Sequence, residues 1–166
     1  MTENAIKTRP DGLDKPYVKT IIHRMSKFNV WIYQKTGGLI GSTWRVGAAF
    51  PKGVPVLLLT TVGRKSGAER IAPLLFVRDG QNVVIVASQG GLPKNPSWFY
   101  NVKANPNVRV QIKSNVESMK ARIATSEERK QLWPRLVAHY ADFANYQAWT
   151  DREIPVVVLE PIRDAS

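Results

Sequence analysis

Three apolar runs separated only by short turns constrain this chain more than any other feature. Val54 to Val62 reads VPVLLLTTV, Glu69 to Arg78 reads ERIAPLLFVR, and Asn82 to Ser88 reads NVVIVAS. Between them lie Gly63-Arg64-Lys65-Ser66-Gly67 and Asp79-Gly80. Runs rich in β-branched and aliphatic residues, bounded by turn formers, are strands. The first two form a hairpin, and all three form a meander.

The flanking segments extend this pattern. Asn107 to Lys113 and Glu117 to Ile123 alternate apolar and polar residues and make a second hairpin. Pro96 to Ala104 reads as a short helix, with Asn95 as N-cap and Pro96 at its first position. Thr125-x-x-Glu128 is a capping box that opens a helix running to about Tyr140. Pro134 is expected to kink that helix or limit its first half. Phe143 to Trp149 adds a helical turn, and Val156 to Leu159 is a closing strand.

Towards the N-terminus, residues 1–16 read as a loose tail broken by Pro10, Gly12 and Pro16. Residues 17–35 read as an amphipathic helix. Val18, Ile21, Ile22, Met25, Phe28 and Ile32 share one face, Trp31 and Tyr33 lie near the end, and Gly37-Gly38 stops it. A short strand is expected near Trp44 to Val46. The predicted fold is α+β: one domain over residues 17–166, including the helix, built round an antiparallel sheet that closes into a barrel to remove its edges.

Composition narrows the chemistry. The chain has 166 residues, 43% of them hydrophobic, enough to close a core. It has no cysteine, which excludes disulfides, thiolate catalysis and cysteine-bound zinc or iron–sulfur clusters. His23 and His139 fall in separate helices without ligand spacing, so no metal site is expected. The net charge of +11 favours anionic partners such as phosphates, polyacids, anionic lipids or nucleic acid. Nucleic acid is disfavoured, because the cations are dispersed and no strand presents paired exposed aromatics for stacking. Met1 to Asp14 lacks an apolar h-region, and no run approaches the roughly 20 residues of a membrane span, so a cytoplasmic protein is expected.

Four features could carry chemistry. The Gly63–Gly67 turn sets Arg64, Lys65 and Ser66 beside Arg70, where backbone N–H groups and a guanidinium can hold an oxyanion. The strand end Ala87-Ser88-Gln89-Gly90-Gly91 has small residues that let a flat ligand approach the backbone. Asn95-Pro96-Ser97-Trp98-Phe99-Tyr100-Asn101 sits at a helix start, and its three adjacent aromatics cannot all face one core. Tyr140, Phe143, Tyr146 and Trp149 recur at spacings of three, roughly along one side of a helix. For the first feature the solvated hairpin tip, and for the last ordinary core packing, are the commoner readings of such patterns.

These features, in this order, resemble the deazaflavin-dependent nitroreductase family, actinobacterial-type F420-dependent reductases with a split β-barrel fold. The resemblance rests on LLTTVGRKSGAERIAPLLFVRDG, VASQGGLPKNPSWFYNVKANPNVRVQIK and LVAHYADFANYQAWTDREIPVVVLEP, and covers about residues 17–161. It implies coenzyme F420 as cofactor. Arg64, Lys65 and Ser66 match the turn holding its phosphate. Arg70, Ile71, Ala72, Pro73, Leu74 and Leu75 match the strand that lines it. Val86, Ala87, Ser88 and Gln89 match the strand end against the deazaflavin ring, with Ser88 near its reactive part. Ser97, Trp98, Phe99, Tyr100 and Asn101 match the helix start that completes the groove. Tyr140, Phe143 and Tyr146 match an aromatic wall over the acceptor, with Tyr140, Tyr146 or solvent as proton source. A nitroimidazole-reducing member has tyrosine where this chain has Leu75 and Phe143, and lysine at Gln89. The expected acceptor is therefore a more apolar enone or quinone.

A strongly anionic cofactor suits the basic composition, and hydride transfer needs no protein nucleophile or metal. Two other readings stay open: an FMN-binding split-barrel oxidase or reductase, and a quinone reductase held peripherally on the inner face of the plasma membrane through residues 17–35. Either a monomer or a homodimer is compatible.

Overall fold

The computed structural model describes residues 30–39, 42–44 and 53–162. The predicted tail over 1–16 and the first part of the N-terminal helix lie outside these residues. Residues 30–35 are helical (α1), and the chain leaves them through Gly37 and Gly38, both in the left-handed region at φ 56° and 76°. A short strand β1 covers Thr43–Trp44, and the expected continuation to Val46 lies outside the described residues.

The three runs form β2 (Val54–Val62), β3 (Glu69–Asp79) and β4 (Asn82–Val86). Helix α2 (Ser97–Ala104) follows, then β5 (Asn107–Ile112) and β6 (Asn115–Ile123). Helices α3 (Ser126–His139) and α4 (Asp142–Ala148) precede the last strand, β7 (Val156–Pro161). Every pairing is antiparallel, in the order β2-β3-β4-β7-β6-β5, and β5 pairs back onto β2 through Leu58↔Gln111, Leu59↔Val110 and Thr60↔Arg109. The result is a closed six-stranded barrel. β1 adds to the start of β2 beside this ring.

Strand parity divides the core in two. Leu57, Leu59, Val83, Ile85, Val108, Val110, Met119, Ala121, Val157 and Leu159 point into the barrel, where α2 inserts Trp98, Phe99 and Val102. The opposite faces of β4 and β7, through Val84, Val86, Val156 and Val158, pack under Leu132, Leu136, Tyr140 and Phe143 of the α3–α4 region. β4 and β7 are thus buried on both faces, which is why their sequences are unbroken apolar runs rather than alternating ones.

α1 is fastened to the barrel by Tyr33, which is 1% exposed. Its hydroxyl donates to Val56 O at 3.0 Å and accepts from the Lys113 N–H at 2.7 Å. Gly38 permits this closeness, because a Cβ there would lie 2.5 Å from Lys113 Cα. Tyr33 is therefore not an outward-facing tip of the helix; Trp31, 57% exposed, points away instead.

Two local expectations change. Pro96, not Asn95, is the N-cap of α2, and no side-chain cap bond forms there. Asn95 Oδ1 instead accepts a 2.6 Å bond from Arg152 Nη1, and a charge-assisted bond is stronger than a neutral cap. α3 runs through Pro134 to His139 without a break. The proline leaves the Lys130 carbonyl without its helical donor, but Lys130 is exposed and water can serve it. Buried Leu132 and Leu136 hold the helix on either side.

The start of α3 is fixed as its sequence indicates. Thr125 Oγ1 accepts from the Glu128 N–H, and Glu128 Oε2 accepts from the Thr125 N–H. Glu128 also receives both terminal nitrogens of Arg122 at 2.7 and 2.8 Å, while Arg122 Nε reaches Glu160 at 2.8 Å. Arg122 thereby ties β6, β7 and α3 together. Its bidentate bond, with the Thr125 N–H, lowers the Glu128 carboxyl from its usual 4.5 to about 2. A carboxyl depressed in the folded state stabilises the fold above its unfolded value, and this is lost as pH falls through the folded value. The wild-type melting temperature should therefore fall more steeply than that of Glu128→Gln between pH 4.5 and 2. Equal slopes in a calorimetric pH series would contradict the assignment.

Candidate functional site

The β2–β3 turn is built to present charge. Gly67 N–H donates to Gly63 O at 2.7 Å, and Gly63 N–H donates to Ala68 O at 2.8 Å. Gly67 sits at φ 68°, and a Cβ on Gly63 would meet Ser66 Oγ at 2.8 Å. Ser66 Oγ accepts from the Ala68 N–H and from Arg70 Nη2 at 3.3 and 3.4 Å. The turn is mounted on α2 by Asn101, only 5% exposed. Asn101 Oδ1 accepts from the Arg64 N–H at 3.1 Å, and its amide donates to Thr61 Oγ1 at 3.1 Å. The Arg64 guanidinium lies over the Tyr100 ring, 5.0 Å from its centroid.

Arg64, Lys65 and Arg70 are exposed, and among the described residues none of them pairs with a carboxylate. Elsewhere, Arg109, Arg129 and Arg135 each face one and Arg122 faces two. Three such cations round one turn can attract an anion.

One helical turn back along α2, Trp98 enters a cavity of about 380 Å³. Pro73, Leu74 and Leu75 of β3 form one wall, and Val86, Ser88, Gln89 and Gly90 form the next. Pro96 and Trp98 close one end, and Tyr140, Phe143 and Tyr146 cover it. The lining is mainly apolar with a few polar groups, as expected of a site for a flat organic ligand.

The cover is not one helical face, as the spacing suggested. Tyr140 is the C-cap of α3, and Phe143 and Tyr146 belong to α4, so the break between helices turns all three rings toward the cavity. The Tyr140 and Tyr146 hydroxyls lie 3.1 Å apart, and the Phe143 ring stands edge-on to Tyr140 at 5.1 Å. Burial pushes both phenols above the ordinary tyrosine value. Both therefore stay protonated at neutral pH and can donate a hydrogen bond.

Other predicted site residues lie elsewhere. Ala87 and Phe99 face the barrel interior and are buried. Strand parity explains Ala87, because its neighbours Val86 and Ser88 take the cavity side. Ala72 packs against the interior cluster, Ile71 is half-buried, and Ser97 is exposed at the start of α2. Asn101 sits behind the turn with both ends of its amide bonded to protein. His139, in the last turn of α3, has a buried Nε2 without a partner, and burial pushes its pKa down.

Sequence reasoning missed Arg152. Its Nε donates to Leu92 O at 2.9 Å, Nη1 to Asn95 Oδ1 at 2.6 Å, and Nη2 to Ala87 O and Ser88 O at 3.2 and 2.9 Å. Nothing in Thr150-Asp151-Arg152-Glu153 distinguishes it from solvated surface. Gly90 and Pro96, which lay in two of the four sequence features, line the cavity, and Thr61, which the sequence did not single out, is part of the mount.

A closed split barrel, with an apolar cleft and a basic turn joined by one helix, defines a class of barrels that bind flat, anionic ligands. Comparison with known proteins narrows the class. The sequence model of the F420H2-dependent quinone reductase family matches residues 25–161. A relative from Mycobacterium tuberculosis H37Rv, assigned to the F420H2-dependent quinone reductases, is 49% identical over 117 residues, 70% of this chain and 98% of the relative. The solved F420-H2 dependent reductase FDR-A is 47% identical with a TM-score of 0.60, over 64% of this chain and 94% of that one. A solved domain-swapped dimer is 38% identical with a TM-score of 0.62, over 87% of this chain and 97% of that one. The chain belongs to the F420H2-dependent quinone reductase family.

Asn101→Ala leaves the buried Thr61 hydroxyl and the Arg64 N–H without their partner, so it should cost about 1–3 kcal/mol. Its melting temperature should fall, and trypsin should cut after Arg64 and Lys65 faster than in the wild type. Unchanged melting and unchanged cleavage would contradict the mounting role.

Proposed function

We propose that the protein is an F420H2-dependent oxidoreductase that reduces a small, flat, apolar acceptor: a quinone first, and by the same chemistry an α,β-unsaturated ketone. The observation that carries this is the union, through α2, of a turn with three unpaired cations and a mainly apolar cavity. Membership of the family supports the cofactor.

The residues present suit that cofactor. Arg64, Lys65, Ser66 and Arg70 would hold its phosphate and the first of its carboxylates. Pro73, Leu74 and Leu75 would line its length, and Val86, Ser88 and Gln89 would lie against the ring. Trp98 would close the groove, with Tyr100 steadying Arg64 from below. Bound there, reduced F420 supplies the hydride. The protein contributes binding, orientation, a mainly apolar cavity and a proton. Tyr146, with Tyr140 as its hydrogen-bond partner, is the group we assign to donate to the acceptor oxygen. Ser88 is assigned to the ring side of the cavity.

Leu75 and Phe143 bring no hydroxyl to this wall, which favours quinones and enones over nitroimidazoles. A lipid-soluble quinone would be met at a membrane surface, and outward-facing Trp31 gives that contact a place in the described part of α1. Among the described residues, no helix is long and apolar enough to cross a membrane. The domain-swapped relative supports a homodimer.

Anaerobic stopped-flow mixing of enzyme-bound reduced F420 with a naphthoquinone, then with cyclohexenone, tests the reaction. Both should oxidise the cofactor in single turnovers. Tyr146→Phe should slow the step about tenfold or more, in the range of a lost general acid. Rapid oxidation of bound reduced FMN, with reduced F420 inert, would overturn the proposal. Unchanged rates in Tyr146→Phe and Ser88→Ala would remove those residue roles.

A further inference from the structure

A guanidinium carries five N–H donors in a planar fork. In Arg152 four hydrogen bonds go to one loop: the carbonyls of Ala87, Ser88 and Leu92 and the side-chain oxygen of Asn95. All four acceptors are neutral, and among the described residues Arg152 forms no ion pair. A half-buried charge without a counter-ion is costly unless its hydrogen bonds are satisfied, and this loop satisfies them.

The loop needs such a partner. Gln89, Gly90 and Gly91 occupy the left-handed region in succession, at φ 46°, 62° and 73°. For Gln89, which has a Cβ, that conformation is strained. The carbonyls of Ala87 and Ser88, immediately before this stretch, both accept from Arg152 Nη2.

The same residue reaches the opposite wall. Arg152 O accepts from Gln147 Nε2 in the last turn of α4 at 2.8 Å. Gln147 Oε1 accepts from the Ile154 N–H at 2.9 Å and from Arg129 Nη2, on α3, at 3.0 Å. α4 and the loop meet at backbone distance, since a Cβ on Gly91 would lie 2.7 Å from Tyr146 O. Side chain and backbone of one arginine therefore hold the Ser88 wall and the Tyr146 wall.

We infer that Arg152 is a positioning residue for the reaction: its guanidinium fixes the 87–95 loop against α4 and so sets the spacing between Ser88 and Tyr146 across the cavity. The catalytic consequence rests on the function proposed above; the clamp itself does not. A lysine in its place has a compact ammonium rather than a fork and cannot span four acceptors on both sides of the loop.

The test is Arg152→Lys, read two ways. By hydrogen–deuterium exchange without cofactor, amides 88–92 should exchange about tenfold faster or more, while β2 and β6 keep wild-type protection. With reduced F420 and a naphthoquinone, kcat should fall about tenfold or more, because small misplacements of reacting groups are costly. The dissociation constant for F420 should change by a smaller factor than kcat, since the basic turn is untouched and only the ring contacts at 88–89 are loosened. Unchanged exchange in 88–92 overturns the clamp. Faster exchange with unchanged kcat overturns the positioning role and leaves a structural one. If the lysine variant does not fold, Asn95→Ala, which deletes one acceptor, should raise exchange of the same amides by a smaller factor, and unchanged protection there also overturns the inference. A wild-type protein that fails to bind F420 would sink the proposed function while leaving the exchange result to decide the clamp.

Discussion

The pairing of β2 with β5, from Leu58↔Gln111 to Thr60↔Arg109, converts an open meander into a closed barrel. β2 then has a neighbour on each side, and its buried residues face two cores. The chain between β4 and β5 is α2 with its short loops, so closing the ring also fixes α2 over the barrel. There it buries Trp98, Phe99 and Val102, each worth about 1.5–3 kcal/mol by area. That placement supports the whole site. From one helix, Asn101 mounts the basic turn while Trp98 enters the cavity. The β2–β3 register, in which Thr61 faces Arg70 and Val56 faces Leu75, lays the cation end and the apolar end along one strand.

The distribution of arginine partners gives the net charge a structure. Arg122 binds two carboxylates and joins three elements. Arg129, Arg135 and Arg109 each face a carboxylate as well. Arg152 is committed to neutral oxygens of its own chain. Three cations with no carboxylate partner among the described residues, Arg64, Lys65 and Arg70, lie together at the Gly63–Gly67 turn, beside the cavity that an apolar acceptor would enter. Excess charge alone indicates only that some anion is attracted. The clustering of three cations on one turn next to an apolar cavity is what the proposed function builds on.

The strands were legible in the sequence because their signals are local. β4 and β7 are covered on both faces and read as continuous apolar runs, while β5 and β6 alternate. The α3 cap was legible because both partners lie within four residues of each other. What could not be read depends on contacts between distant segments. Asn95 looked like a cap until Arg152, 57 residues later, was seen to hold it. Asn101 looked like a ligand contact but is bonded to Arg64 and Thr61, 37 and 40 residues earlier. The Tyr140, Phe143 and Tyr146 rings converge because two helices meet there, which a single 3.6-residue period cannot express. Ala87 was a different kind of miss. It lies just past the end of β4 and turns into the barrel interior while Val86 and Ser88 line the cavity, but the strand end was assigned as a block.

In the function proposed, this barrel holds a deazaflavin by its anionic tail on the Gly63–Gly67 turn. Equilibrium titration of the wild type and of the Arg64→Ala, Lys65→Ala double variant with oxidised F420, followed by tryptophan quenching, tests it most directly, with FMN as the competing ligand. F420 should bind the wild type more tightly than FMN, its affinity should fall with salt, and the double variant should lose about tenfold or more of it. Tighter binding of FMN, or equal F420 affinity in the wild type and the double variant, would contradict the account.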